Sequence, residues 1–291
     1  MTEPDKTPTP DVTRDESCTL ASVRRVAAML DQDPDTLANG QPLPRGWHFF
    51  LLAADTRRSA LRSDGFPGLG VPMPDLGLPR LMLGSRTVSF HQDLPIGAAV
   101  QRSSRVRSVV HKTTASGPMA VVTLDHELRA LAHAEPALVE SQTYLLLPAR
   151  AASAVAATPA GTPAATPAAT SVATSVATSA HQKTVVPDDT LIYQYSALGF
   201  NSHRIHLDRQ HAREVEGFPD LVVNGGLSTL LLTEFLRLDL GIVARSLKAR
   251  HVAPLYCNRP VTLCADPVDG GWRLKALDDQ QQLAVELEVS L

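Results

Sequence analysis

The sequence predicts an α+β protein in which an antiparallel sheet wraps around one buried helix, and it predicts that arrangement twice, once in each half of the chain. Three observations carry this. Residues 151–180, AASAVAATPAGTPAATPAATSVATSVATSA, use only Ala, Ser, Thr, Val, Pro and Gly. Such a run has no charge, no aromatic residue and no apolar period, so it cannot bury enough surface to offset its ordering entropy and reads as a linker. On both sides of it, strand patterns arrive in hairpins instead of being separated by helices. A candidate helix precedes each set of hairpins.

In the first half the candidate helix is the aromatic stretch 46–55, with WHFFLLAAD at its core. The hairpin that follows has Val106 and the Val109-Val110 pair in one strand, a turn at Ser116-Gly117-Pro118, and a β-branched strand over 119–128. In the second half the helix candidate is 225–240, GGLSTLLLTEFLRLDL. Its Leu227, Leu230, Leu231, Leu232, Phe235, Leu236, Leu238 and Leu240 cover most of the circumference. A helix apolar nearly all round is a buried one. Strands over 261–265, 272–277 and 283–291 then form a meander, with turns at Asp269-Gly270-Gly271 and Asp278-Asp279. One buried helix and an antiparallel meander, present twice, make a double hot dog. The expected division is a disordered N-terminus over 1–15, a first hot dog over 16–149, a disordered linker over 150–186 and a second hot dog over 187–291.

Bulk properties narrow the function. The chain has 291 residues, 44% of them hydrophobic, enough to bury one large core or two ordinary ones. Its 27 basic and 30 acidic residues leave a net charge of −3, which offers no electrostatic footprint for nucleic acid. No run approaches the roughly 18 apolar residues of a membrane helix. The start, MTEPDKTPTPDVTRDESC, is polar and acidic where a secretory signal is apolar, so a cytoplasmic protein is expected. Cys18, Cys257 and Cys264 form no CxxC pair, which argues against a disulfide framework or a zinc site.

The most chemical stretch is FNSHRIHLD, residues 200–208, which holds two of the ten histidines. Three readings compete for His203, His206, Asp208 and His211. They are ordinary half-buried loop residues, or ligands of a divalent ion, or they include a general base, because histidine titrates near neutrality. The ligand reading has no known spacing behind it. Downstream, Asn224-Gly225-Gly226 stands where the buried helix starts. Helix starts present unpaired N–H groups and a partial positive charge, and glycine lets a ligand approach them, so an oxygen that becomes negative could be held there. The competing account of the glycines is tight packing of the helix start.

The order N-S-H-R-I-H-L-D, about twenty residues, then V-N-G-G-L before an apolar helix resembles the MaoC-like hydratases and dehydratases. Their signature is D-x-N-P-[LIV]-H followed by V-H-G-[ML]. The stretches 195–208 and 215–225, with LMLGSRTVSFHQDLPIGAAV and KTTASGPMAVVTL in the first half, are similar to the mesaconyl-CoA, 3-methylfumaryl-CoA and itaconyl-CoA hydratases and to the 3-hydroxyacyl-thioester dehydratases. The resemblance implies reversible hydration of an enoyl thioester with His206, Asn201 and Gly225 as catalytic residues. Asn201 stands where the family has an aspartate, His203 where it has an asparagine. The N-terminal half has no N-x-H-x-x-H and is expected to be non-catalytic. Gly226 and His203 are expected at the substrate, and Arg204, Arg250, Arg80 and Arg86 are candidates for its phosphates or a carboxylate. No metal or redox cofactor is expected. Coenzyme A or an acyl carrier protein would be the substrate carrier, no nucleic acid or membrane the partner, and a homodimer is allowed. The alternatives are a thioester-binding module without turnover and an acyl-CoA thioesterase using Glu234 on the central helix.

Overall fold

The structure, a computed structural model, describes residues 11–73, 75–114, 117–149 and 179–291. Most of the linker, 150–178, therefore lies outside the described residues. The N-terminal half supplies β1 (Val12–Ser17), α1 (Leu20–Met29), β2 (Arg80–Phe90), β3 (Ala99–Thr114), β4 (Gly117–Ala130) and β5 (Leu138–Leu147). The C-terminal half supplies β6 (His181–Val185), α2 (Asp189–Leu198), α3 (Arg209–Glu214), α4 (Gly225–Glu234), β7 (Ser246–His251), β8 (Val261–Val268), β9 (Gly271–Leu277) and β10 (Leu283–Ser290). The ten strands of the described residues form one antiparallel sheet in the order β1-β3-β4-β5-β2-β7-β10-β9-β8-β6. Each half contributes five strands, and β2 pairs with β7 across the junction.

Two expected boundaries move. Residues 12–17 are an edge strand paired with β3, and 181–185 are the opposite edge strand paired with β8. Both are short, polar and largely exposed, VTRDES and HQKTV. That composition hid them from a hydrophobic pattern, and it is also how natural sheets protect their edges. The helix expected over 46–55 is a 3-10 helix over Trp47–Leu52. The one expected over 225–240 is α-helical to Glu234 and continues as a π turn over Phe235–Asp239.

Helix α4 is the core of the C-terminal half. Leu227, Leu230, Leu232 and Leu236 are 0–2% exposed, each worth about 1.5–3 kcal/mol of burial. Its buried hydroxyls bond back along the helix, Ser228 to the Asn224 carbonyl at 3.3 Å and Thr229 to Gly225 at 3.2 Å. At its C-terminal end Glu234 is pinned to the N-terminal half. One oxygen accepts from Trp47 Nε1 at 2.9 Å and the other from Gln32 at 2.7 Å, with Arg237 at 2.6 Å completing the cage. Both oxygens are engaged, and Glu234 does not line the cavity into which His206 faces. The carboxylate that a thioesterase reading needs is thus a structural staple. Among the described residues, no helix is long and apolar enough to cross a membrane.

Candidate active site

Residues 196–206 turn sharply. Phe200, in the left-handed region at φ 48°, leads out of α2, and the Asn201 N–H reaches back to the Ser196 carbonyl at 2.7 Å. A non-glycine residue there costs of order 1 kcal/mol, and such strain clusters at working sites. Asn201 Oδ1 then accepts the His203 N–H at 3.1 Å. Among the described residues nothing bonds the Asn201 amide nitrogen, which leaves it as a donor able to meet a ligand.

His206 is buried, and its Nδ1 lies 2.7 Å from the Val222 carbonyl. A carbonyl only accepts, so Nδ1 carries the proton and Nε2 holds the lone pair. Burial pushes the imidazole down to about 3, with neighbouring His203 adding to the effect. His206 is therefore neutral at any ordinary pH. His203 meets it edge to face at 5.5 Å and points Nε2 towards Asp64 at 3.6 Å. Asp64 is held by Arg62 at 3.1 Å and by the Phe66 N–H at 2.9 Å. The segment around it docks on the histidine turn, with the Arg204 N–H on the Asp64 carbonyl at 2.8 Å and Ser202 Oγ on the Gly65 carbonyl at 2.6 Å. Gly65 is required there. At φ 77°, a Cβ would stand 2.5 Å from the Ser202 oxygen.

Asp208 and His211 play no part in this cluster. Asp208 caps α3 through the His211 N–H at 2.9 Å and pairs with Arg204 at 2.6 Å. Among the described residues, no group of three or more His, Cys, Asp or Glu side chains is placed to hold a metal ion.

The Val222 carbonyl also fixes where α4 begins. Its own N–H bonds the Ile205 carbonyl at 3.0 Å, and Val223 N–H bonds Leu255 at 2.8 Å. Helix α4 starts two residues later without a side-chain cap on its first amides. The N–H groups of Gly225 and Gly226 donate to no described group, as the first turn of a helix dictates. Asn224, buried, gives its amide nitrogen to Ser196 Oγ at 3.1 Å, while its Oδ1 has no partner among the described residues. A Cβ on Gly226 would collide with the Tyr195 hydroxyl, and one on Gly225 would sit 3.2 Å from Leu83 and 3.3 Å from His251.

These groups line one cavity of about 260 Å³, including His206, His203, Asn201, Asn224, Gly225 and Gly226. A second cavity of about 600 Å³, largely apolar, shares Phe66, Gly68, Leu69 and Leu81 with it. Of the four candidate arginines, Arg86 alone lines the cavity that holds His206. Arg250 points to the outer face of the sheet and pairs with Glu286 at 2.9 Å, because strand alternation turns His251 inward instead. Arg204 is spent on Asp208, and Arg80 on Glu216 at 3.0 Å. The sequence reading missed Tyr195, Asn224, His126 and His251, which also line the cavity. Asn224 and Tyr195 stood beside or inside the quoted motifs. His251 and His126 carry no local signal.

A buried histidine with a fixed proton and the unpaired amides of a buried helix start thus line one cavity of a double hot dog. Solved structures share the fold: a MaoC-like dehydratase from Phytophthora capsici at TM-score 0.68 and 12% identity, covering 97% of this chain and 96% of that one. HtdX of Mycobacterium tuberculosis superposes at TM-score 0.63 and 16% identity, covering 97% and 100%. The mesaconyl-C(4)-CoA hydratase of Chloroflexus aurantiacus is 34% identical over 253 residues, 87% of this chain and 85% of that protein. A mitochondrial hydroxyacyl-thioester dehydratase type 2 from Schizosaccharomyces pombe is 28% identical over 95 residues, 32% of each chain. The model of the hydroxyacyl-thioester dehydratase type 2 family matches residues 46–257, and the chain belongs to that family. It is an enzyme of the hydro-lyase class.

Proposed function

We propose that the chain adds water reversibly across the double bond of an enoyl thioester carried by coenzyme A, with a branched dicarboxylic acyl group of the mesaconyl kind as substrate. The observation that carries this is the pairing of His206 with the start of α4. Nδ1–H is held by the Val222 carbonyl, and Nε2 carries a lone pair in the same cavity as the free amides of Gly225 and Gly226. The thioester oxygen rests on the Gly225 amide. His206 Nε2 takes a proton from water while the hydroxyl bonds to the β-carbon and the double-bond electrons move towards the thioester oxygen. The amide and the helix start stabilise the enolate-like charge, and the imidazolium returns the proton to the α-carbon. Asn201 orients the water or the carbonyl through its amide hydrogens, and His203 positions His206. The step needs no metal and no redox cofactor.

The adjoining apolar cavity suits the arm of the carrier. An acyl carrier protein is the alternative carrier, and an assembly of two copies belongs to the same reading, distinguishable from the 31.2 kDa chain by light scattering. A cytoplasmic location fits the three unpaired cysteines. The relative from Chloroflexus supports the acyl class. The test is incubation of the purified protein with a panel of enoyl-CoA and enoyl-carrier thioesters, followed by mass spectrometry. Gain of one water on a dicarboxylic enoyl-CoA is expected. No gain on any thioester would end the proposal in favour of a binding module without turnover.

A further inference from the structure

The cavity has a second polar wall, and the mechanism does not use it. Arg86 on β2, His126 on β4 and Gln142 on β5 come from the N-terminal half, Tyr195 on α2 and His251 on β7 from the other. The bonds inside this wall are mostly closed. Glu140, fully buried, accepts Arg86 Nε at 2.6 Å, Arg86 Nη2 at 2.8 Å, His48 Nε2 at 2.7 Å and Gln142 Nε2 at 2.6 Å, which fills its lone pairs. Gln142 Oε1 accepts the Tyr144 hydroxyl at 2.6 Å. His126 Nδ1 faces Ser104 Oγ at 2.8 Å.

What remains open is one charged donor with polar atoms around it. Arg86 uses its Nε and Nη2 edge on Glu140 and makes no hydrogen bond to a described residue through Nη1. Nη1 is also not sealed from the cavity, since the buried atoms without partners are Arg102 Nε, His211 Nε2, Asn224 Oδ1 and His251 Nε2. The Tyr195 hydroxyl and His126 Nε2 likewise meet no described group, whereas His251 Nε2 is unpartnered but sealed. Among the described residues, no Asp or Glu lines the cavity. Four bonds hold Glu140 in place, so Arg86 is presented in one fixed orientation before any ligand arrives.

We propose that this wall binds a carboxylate on the acyl group, anchored by Arg86 Nη1, so that the N-terminal half selects dicarboxylic over monocarboxylic enoyl thioesters. The inference rests on the hydration reading and adds the residue that sets acyl choice. Arg86 is a specificity residue, and Glu140 with His48 positions it.

Steady-state kinetics on the full chain with mesaconyl-CoA and crotonyl-CoA test it. The wild type is expected to favour mesaconyl-CoA in kcat/KM. Removing Arg86 alone would strand a buried Glu140, so the variant is the neutral pair Arg86→Met with Glu140→Gln. There the mesaconyl-to-crotonyl ratio should fall about 10- to 100-fold, the range of a charged hydrogen bond, mainly through KM. Arg86→Lys should recover part of the ratio. An unchanged ratio with both substrates lost equally, or a wild type that prefers crotonyl-CoA, overturns the proposal while hydration stands. Turnover of neither substrate, nor of any other enoyl thioester, removes the hydration reading and this one with it. Should the paired variant not fold, inhibition of the wild type decides: succinyl-CoA must bind at least about 10-fold tighter than butyryl-CoA, and equal or weaker binding overturns the proposal.

Discussion

In the N-terminal half, the segment before the central position docks through the Leu43 N–H on the Leu94 carbonyl and the Ile96 N–H on Gln41, both at 2.8 Å. In the C-terminal half the same pair of bonds runs from Val223 to Leu255 at 2.8 Å and from Cys257 to Leu221 at 3.0 Å. The strand orders match as well, β1-β3-β4-β5-β2 against β6-β8-β9-β10-β7. This register sets Pro44, Arg45 and Gly46 where the other half has Asn224, Gly225 and Gly226. Pro44 has no N–H to donate. Arg45 reaches across to the Ala244 carbonyl at 2.7 Å, and Gly46, at φ 100°, turns the chain into six residues of 3-10 helix. Trp47, Phe49, Phe50 and Leu51 then fill the core that a long helix fills elsewhere. The sheet asks only for apolar volume at its centre, whereas the chemistry asks for amides with nothing in front of them.

The largest test of that contrast is His206→Ala. General acid and base catalysis is worth about 10²–10⁴-fold, so kcat on a reactive enoyl-CoA should fall by that much while the protein stays folded. A loss under tenfold would mean that a base on the other wall does the work: His251, or His126, which would make the N-terminal half catalytic after all.

Next comes the glycine step. Gly226→Ala should cost about 1–3 kcal/mol in denaturant unfolding, because its Cβ meets the Tyr195 hydroxyl. Adding Tyr195→Phe should recover part of that loss. Gly225→Ala meets only side-chain atoms at 3.2–3.3 Å and should unfold nearly like the wild type. Its activity should drop nonetheless, since the methyl crowds the approach to the amide. If both alanine variants keep full activity, the Asn-Gly-Gly sequence is a packing device, as Pro-Arg-Gly is.

The pH dependence compares the halves by charge. Burial lowers the pKa of His48 and His126 in the first half and of His203, His206 and His251 in the second. His206 falls to about 3, and His126 and His251 to about 4, from an ordinary 6.5. The sign follows from proton counting. Between 6.5 and those values the unfolded chain binds protons that the folded one refuses, so stability is full above 6.5 and is lost as pH falls towards 4. Each histidine contributes at most about 1.4 kcal/mol per pH unit in that window. Urea midpoints at pH 7 and pH 5 measure it. Activity should stay flat across pH 6.5, where a base with an ordinary histidine pKa would show a step.

What could be read beforehand follows from how far apart in sequence the relevant atoms lie. Helix α4 was legible because its apolar residues surround it, and β8 to β10 because turns punctuate them. His206, Asn201, Gly225 and Gly226 fall within 26 residues of one another and carry a motif. Edge strands β1 and β6 were not legible, because solvent sets their composition. His126, Arg86 and His251 meet only through the pairing of β2 with β5 and β7, and of β5 with β4, which no local pattern records. The 3-10 turn at Trp47 was misread because its aromatic residues are equally consistent with a buried α-helix.

The smallest expected effect concerns Arg250, whose promise as a substrate ligand depends on a single step of strand parity. In β7 the residues Leu247 and Ala249 are buried while Lys248 and Arg250 are exposed, and His251 takes the inward side. Arg250 is 63% exposed on the outer face and holds Glu286 at 2.9 Å on neighbouring β10. An exposed pair of this kind is worth about 0–1 kcal/mol and is screened by salt. Arg250→Ala should therefore shift unfolding by less than about 1 kcal/mol and leave kcat and KM near the wild type. The neighbouring His251→Ala, one residue on and on the opposite face, should alter KM, because its ring lies against Gly225 in the cavity wall. Reversal of those two results would place the outer face of β7 at the substrate, and with it the wrong side of the sheet around α4.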